Sequence, residues 1–173
     1  MKTLIYDVET TGLSSYSDEI LQLSIIDDDG NVLFNEYIKP VHKKKWDKAM
    51  KVHGISPAKV SECHTIDFYT DKIKAIFDNY ERIVGYNNIN FDNGFLERIG
   101  IDFSNKIQYD VMLEFAEIYG KWNDFYGDYK WQKLDTCAAY YDFDWSTIKE
   151  GAHNSLGDCY ATLHCFKKMN SDE

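Results

Sequence analysis

Prolines are scarce in this chain: Pro40 and Pro57 are the two present. The ten glycines are scattered. A collagen-like repeat, a polyproline spacer and a low-complexity linker are thereby excluded. No apolar stretch approaches the roughly 18 residues that a membrane span needs. The opening Met1-Lys2-Thr3-Leu4-Ile5-Tyr6 meets Asp7 and Glu9 before a signal-peptide core could form. A cytoplasmic location and no membrane partner are therefore expected. The four cysteines, Cys63, Cys137, Cys159 and Cys165, include no CxxC pair. Reduced, partly buried thiols are expected rather than a zinc site or a disulfide framework. Positive charge is scarce too: 19 Lys and Arg face 29 Asp and Glu, for a net charge of −10. By the simplest rule that counts against nucleic acid, whose binders carry a basic surplus.

The 173 residues, 44% hydrophobic, suffice for one domain with a sizeable core, and a single domain over 1–173 is expected. Residues 2–8 are a short, mostly apolar run that reads as a buried strand, broken by Thr10-Thr11-Gly12. Residues 19–27 and 32–38 flank the turn signal Asp28-Asp29-Gly30-Asn31 and read as a hairpin. Short helices are predicted over 45–53 and 57–62. Ile66, Tyr69, Ile73, Ile76, Phe77 and Tyr80 recur at three-to-four spacing, which predicts an amphipathic helix over 66–79. Strands follow at 82–86 and 106–109, and helices at 91–99, 110–119, 131–141 and 155–168. An aromatic, Gly-punctuated segment covers 120–130. This order predicts an α/β fold with a mixed sheet.

Asp7 and Glu9 sit two apart on the first strand, so alternation puts both on one face at its C-terminal end. Open α/β sheets bind ligands at that end. Two carboxylates on one face repel unless a cation lies between them, and a hard divalent ion suits oxygen ligands. Asp92 falls in the first turn of a later helix, where the helix dipole favours an acid. His153 and Asp158 are five apart and would not share a helix face. They converge only if His153 lies in the loop before the last helix and Asp158 in its first turn, with Asn154 or Ser155 as N-cap. Taken singly, each of these has a bland reading: a solvated strand end, a dipole preference, a capping pair.

The ordered set is more specific. Asp-x-Glu-Thr-Thr-Gly after the first strand, Asn-x-x-Phe-Asp after a later strand and His-x4-Asp opening the last helix resemble the DEDD-type 3′–5′ exonucleases. The subclass is the one with a histidine in the third motif, like the proofreading exonuclease of bacterial replicative polymerases. Oligoribonuclease is a cousin. The resemblance runs from Thr3 to about Met169. Val52-His53-Gly54-Ile55 and Leu134-Asp135-Thr136 resemble two further segments of these enzymes. Many relatives have His-Asn where this chain has Tyr86-Asn87, and a small apolar residue where it has Ser155. Neither position is a metal ligand in the family, so these departures bear on substrate preference.

The resemblance implies a ribonuclease H-like fold, a mixed five-stranded sheet with helices on both faces. It implies two divalent ions, Mg²⁺ or Mn²⁺, held by Asp7, Glu9, Asp92 and Asp158, with His153 as general base. The implied reaction releases nucleoside 5′-monophosphates from the 3′ end of single-stranded or frayed DNA. Short RNA as substrate and a non-catalytic polymerase accessory module of the same fold remain open alternatives, with a DNA polymerase as a possible partner. Thr10, Thr11, Gly12, Leu13, Asn87 and Phe91 would seat the terminal nucleotide, with Leu13 as a wedge and Phe91 either stacking or packing. Lys43, Lys44, Lys45, Lys48 and Lys51 surround Trp46 in the most basic stretch. They would guide a strand backbone or form a solvated helix face. Of the aromatics over 119–145, most are expected in the core, while one or two from the 122–131 loop could stack a base or line a partner surface.

Overall fold

In the computed structural model, residues 1–149 and 151–171 are described. The first five strands form one sheet. Strand β1 (Thr3–Thr10) is its centre. On one side it pairs antiparallel with β2 (Ile20–Asp27), which pairs antiparallel with β3 (Val32–Tyr37). On the other side it pairs parallel with β4 (Arg82–Gly85), which pairs parallel with β5 (Ile107–Asp110). The order β3-β2-β1-β4-β5 is the expected mixed five-stranded sheet. β1 runs past the predicted break because Glu9 still faces Gln22 and Thr10 faces Ile20, with a register irregularity between them.

Alternation along β1 divides the molecule. Leu4, Tyr6 and Val8 pack with Ile73 and Phe77 of α3 (Ile66–Asp78) and with Phe95 and Leu96 of α4 (Asp92–Glu97). Ile5 points the other way. With Val84 it packs on α5 (Val111–Tyr119), α6 (Leu134–Tyr140) and α7 (Ser155–Met169), through Phe115, Ala138 and Phe166. The sheet is thus covered by helices on both faces. Each fully buried Leu, Ile or Phe contributes about 1.5–3 kcal/mol relative to exposure.

A third, smaller cluster gathers Leu21, Trp46, Ile55 and Val60 around α1 (Asp47–His53) and α2 (Pro57–Val60). Trp46 is buried, and its indole N–H donates to the Ile55 carbonyl at 2.7 Å. The four cysteines are free thiols, three of them buried. No helix among the described residues is long and apolar enough to cross a membrane.

Local chemistry fixes the helix ends. Ser56 accepts from the Lys59 N–H and Pro57 occupies the first turn of α2. Asp110 caps α5 by accepting from the Met112 N–H, and Gly120, in the left-handed region, ends it. Asn154 caps α7 by accepting from the Leu156 N–H at 3.2 Å. Two elements were not expected. One is a small hairpin, β6 (Trp122–Asn123) with β7 (Asp128–Tyr129). The other is a single 3₁₀ turn at Trp145–Thr147.

Candidate active site

Asp7 and Glu9 leave β1 on the face that α7 covers, because they share the parity of Ile5. Asp158 lies in the first turn of α7. The three acids converge: each offers a carboxylate oxygen within 4.8 Å of the others. Asp92 stands behind this trio rather than in it. It is 2% exposed, and its Oδ1 accepts from the Val8 N–H at 3.0 Å. Its charge still reaches the cluster, since it pushes the carboxyls of Asp7 and Glu9 upward.

His153 sits just before the N-cap, in the loop, with φ of 59°. Its backbone N–H donates to Asp158 Oδ1 at 3.3 Å, and its side chain is exposed at the rim. The five-residue separation is thus bridged as the capping argument required. A left-handed non-glycine residue costs about 1–3 kcal/mol and persists only where surroundings impose it. Here Gly157 helps to impose it. A Cβ on Gly157 would overlap the Gly151 carbonyl oxygen, so only glycine lets the 151–153 loop lie against α7. Gly157→Ala should destabilise the protein by about 2 kcal/mol, lowering the melting temperature by about 4–8 °C. An unchanged melting curve would contradict this packing.

The loop that follows β1 is strapped down. Thr11 Oγ1 donates to Asp18 Oδ1 at 3.1 Å, and the Ser14 N–H donates to Asp18 Oδ2 at 3.0 Å. Lys43 pairs with Asp18 at 3.0 Å. Arg98, just beyond α4, donates to the carbonyls of Ser15 and Asp18. Gly12 passes so close to Asp18 that a Cβ would lie 2.5 Å from its carboxylate. Thr10 Oγ1 donates to the Gly12 carbonyl at 2.7 Å. Leu13 is left 88% exposed on this rigid loop. Phe91 instead packs against the core and meets the Phe95 ring at 5.2 Å. Of the basic stretch, Trp46 belongs to the core and Lys43 is engaged by Asp18.

Asn87 has φ of 63°. Asp110 holds it there: its carboxylate accepts from the N–H groups of Asn87 at 2.8 Å, Ile89 at 3.3 Å and Met112 at 3.0 Å. The Asn87 side-chain oxygen is buried without a hydrogen-bond partner. Below it, Asn88 donates to the Tyr6 hydroxyl at 3.0 Å, Tyr6 donates to Asn93, and Asn93 donates to Gln108 at 2.7 Å. This buried chain ties the second motif to β1. His53 is a further neighbour. Its Nδ1 accepts from the Ile55 N–H at 3.0 Å, so Nε2 carries the proton and donates to the Thr10 carbonyl at 3.1 Å. Asp110, Asp18, Arg98 and this tie were not singled out from the sequence.

The acids repel one another in a shielded setting. Burial raises the Asp7 carboxyl well above the usual range, and Asp92, Asp158 and Glu9 raise it further. Burial, then Asp158 and Asp92, push Glu9 up to about 8. Burial lifts Asp92 to about 7 and Asp158 to about 6, the latter against the opposing pull of His153. Among the described residues no Lys or Arg is paired with them; the ion pair formed is Lys43–Asp18. An oxygen-only cluster short of positive charge fits a hard divalent cation.

These acids bind protons more tightly folded than unfolded. Their contribution to stability is full below about pH 4 and is lost as pH rises through about 6 to 8. Metal-free protein should therefore melt at lower temperature at pH 8.5 than at pH 5. Mg²⁺ or Mn²⁺ at a hundred times its dissociation constant should return about 2.7 kcal/mol at pH 8.5, about 5–11 °C. Calorimetry with and without metal checks both. A melting temperature indifferent to both ions would remove the cation site.

Comparison with known proteins identifies the family and the fold. The exonuclease family RNase_T matches residues 4–166. The "Uncharacterized exonuclease CP81" of Escherichia phage 186 is 28% identical over 170 residues, covering 92% of this chain and 84% of that protein. The PolC-type DNA polymerase III of Mycoplasmopsis pulmonis is 33% identical over 115 residues, 64% of this chain but 8% of the polymerase. Two solved structures share the fold. E. coli exonuclease I, in complex with a dA16 oligonucleotide, matches with a TM-score of 0.72 and 20% identity over 99% of this chain and 42% of its own. Exonuclease X, in complex with 5′ overhanging duplex DNA, matches with a TM-score of 0.72 and 18% identity over 99% of this chain and 92% of its own. The fold is therefore that of exonuclease I, of the ribonuclease H-like type. With its family matched over nearly the whole length, this chain belongs to the DEDD-type 3′–5′ exonucleases and is a nuclease.

Proposed function

We propose that this protein is a metal-dependent exonuclease that removes nucleoside 5′-monophosphates from the 3′ end of single-stranded or frayed DNA. The observation that carries the reading is the convergence of Asp7, Glu9 and Asp158 within 4.8 Å, with Asp92 buried behind them. DNA is favoured over RNA because exonuclease I and exonuclease X were both solved with DNA.

Asp7, Glu9 and Asp158 would hold two divalent cations, Mg²⁺ or Mn²⁺, with Asp92 contributing its charge from the second rank. Bound there, such ions neutralise a phosphodiester and acidify water. Every other role falls to the chain. His153, exposed at the rim and anchored by its own N–H to Asp158, accepts the proton of the attacking water. Histidine suits that task because it is the side chain that exchanges protons near neutral pH. The strapped turn Thr10-Thr11-Gly12 presents backbone to the terminal sugar, and Leu13 wedges against the last base. Asn87, whose buried side-chain oxygen has no hydrogen-bond partner, would help to seat the terminal nucleotide. Phe91 contributes packing.

Matched DNA and RNA 16-mers carrying a 5′ fluorophore test the reading. With Mg²⁺ or Mn²⁺, DNA should shorten one nucleotide at a time while keeping the label, and faster than RNA. Loss of the label first, no shortening with either ion, or faster RNA turnover would reject it in turn for polarity, activity or substrate.

A further inference from the structure

The β6–β7 hairpin has no structural reason to be so aromatic. Trp122 is 54% exposed, Phe125 86%, Tyr126 77% and Trp131 52%. None of these, nor Tyr129, joins any of the three core clusters. An isolated two-stranded ribbon is marginal in water. Trp122 faces Tyr129 across the strands, Lys130 N–H bonds to the Lys121 carbonyl at 2.7 Å, and Gly127, with φ of 65°, makes the turn. Exposed apolar patches of this kind mark interaction sites.

We propose that this hairpin is the platform on which the single strand leading to the 3′ terminus stacks; this rests on the exonuclease reading above. Three observations select that occupant. First, the root of the hairpin stands at the rim of the acidic site. The Tyr86 hydroxyl, one residue before Asn87, donates to the Gln132 carbonyl at 3.0 Å, and Leu134, two residues on, packs in the cluster that holds Ile5, Leu156 and Cys159 around Asp158. Second, the rings meet edge to face, Trp122 with Tyr129 at 87° and Phe125 with Tyr126 at 87°. Rings so arranged leave faces free for bases, beside a cleft of about 600 Å³. Third, Lys121, Lys130 and Lys133 flank the rings, all exposed, and outnumber the hairpin's own acids, Asp124 and Asp128, in a chain of net charge −10. Lysine is depleted at protein–protein interfaces, whereas aromatic rings beside basic side chains suit sequence-tolerant single-strand binding.

The test compares the wild-type chain with Trp122→Ala/Tyr126→Ala and, separately, with Phe125→Ala. The first pair removes one strand ring, Trp122, and one loop ring, Tyr126; the second removes the most exposed ring, Phe125, which no strand pairing uses, so the hairpin is kept there. Affinity for fluorescein-labelled dT16 is read by anisotropy in Ca²⁺, and kcat/KM for dT16 and dT2 in Mg²⁺. Each ring lost should weaken dT16 binding roughly tenfold, about a hundredfold for the pair. Turnover of dT2, which lacks the upstream strand that the platform would hold, should change less than about twofold. Unchanged dT16 affinity in folded variants overturns the platform and leaves a protein partner as its occupant. Equal losses on dT16 and dT2 overturn it as well. Weakened dT16 binding with no turnover by the wild type would retire the exonuclease reading while supporting the platform.

Discussion

Asp7→Asn should lower the rate of 3′-end shortening at least about a thousandfold and, without metal at pH 8, raise the melting temperature. The two effects have one cause. Asp7 lies between Glu9, Asp92 and Asp158, and burial plus those three charges oppose its ionisation. Asparagine keeps the shape and removes the charge, so the metal-free cluster relaxes. The same change deletes an anionic ligand from the place where cations must sit, and groups that act as a unit fail together. Calorimetry in a chelator and a 3′-end ladder in Mg²⁺ read the two halves. Loss of activity with loss of stability would mean that Asp7 is structural. Activity near wild type would sink the site assignment.

His153→Ala should cost about 10²–10⁴-fold in kcat, the usual worth of a positioned general base. The side chain is exposed and its anchoring bond to Asp158 comes from the backbone, so neither folding nor the acid cluster depends on the imidazole. The metal-induced rise in melting temperature should accordingly persist. The decisive pair of measurements is kcat beside that metal-induced rise: the first should fall while the second stays. A variant whose kcat stays within a few-fold of wild type would move the base to another group. His53 is the imidazole to examine next, since its electrostatics register His153 as a neighbour.

How far the site could be read from the residues depended on the range of the interactions involved. Asp7 and Glu9 were legible because alternation on a strand is purely local, and so was the His153 loop, since capping geometry is settled within a few residues. Asp92 was legible as an acid in a first turn. Its engagement by the Val8 N–H was not, because that bond joins segments far apart in the chain. Asp110 was hidden for the same reason. It looks like an ordinary N-cap until the parallel pairing of β4 and β5 sets it opposite Gly85 and beneath the Asn87 turn. Arg98 reads as a solvated helix end, yet it ties down a loop some eighty residues earlier. The hairpin escaped because strands of two residues carry no period, and because its aromatics at 122, 125, 126 and 129 fall at helical spacing, although Gly120 and Gly127, both at positive φ, break a helix there. The net charge misled for a further reason: four of the acids are gathered in one shielded spot, and local sign rather than total sign governs what approaches.

The position of the acids along the chain also sets a timetable. Asp7 and Glu9 are made well before Asp158, which arrives only with the helix that closes over β1. Its seat is fastened by the hydroxyls of Ser24 and Ser155, 2.6 Å apart yet 131 residues distant in sequence. At about 5–20 residues per second, on the order of ten to thirty seconds separate the first acids from the last. Throughout that interval a half-made chain carries an incomplete set of acids and lacks His153. The cluster of Asp7, Glu9 and Asp158 is thus complete only when the closing helix docks on β1.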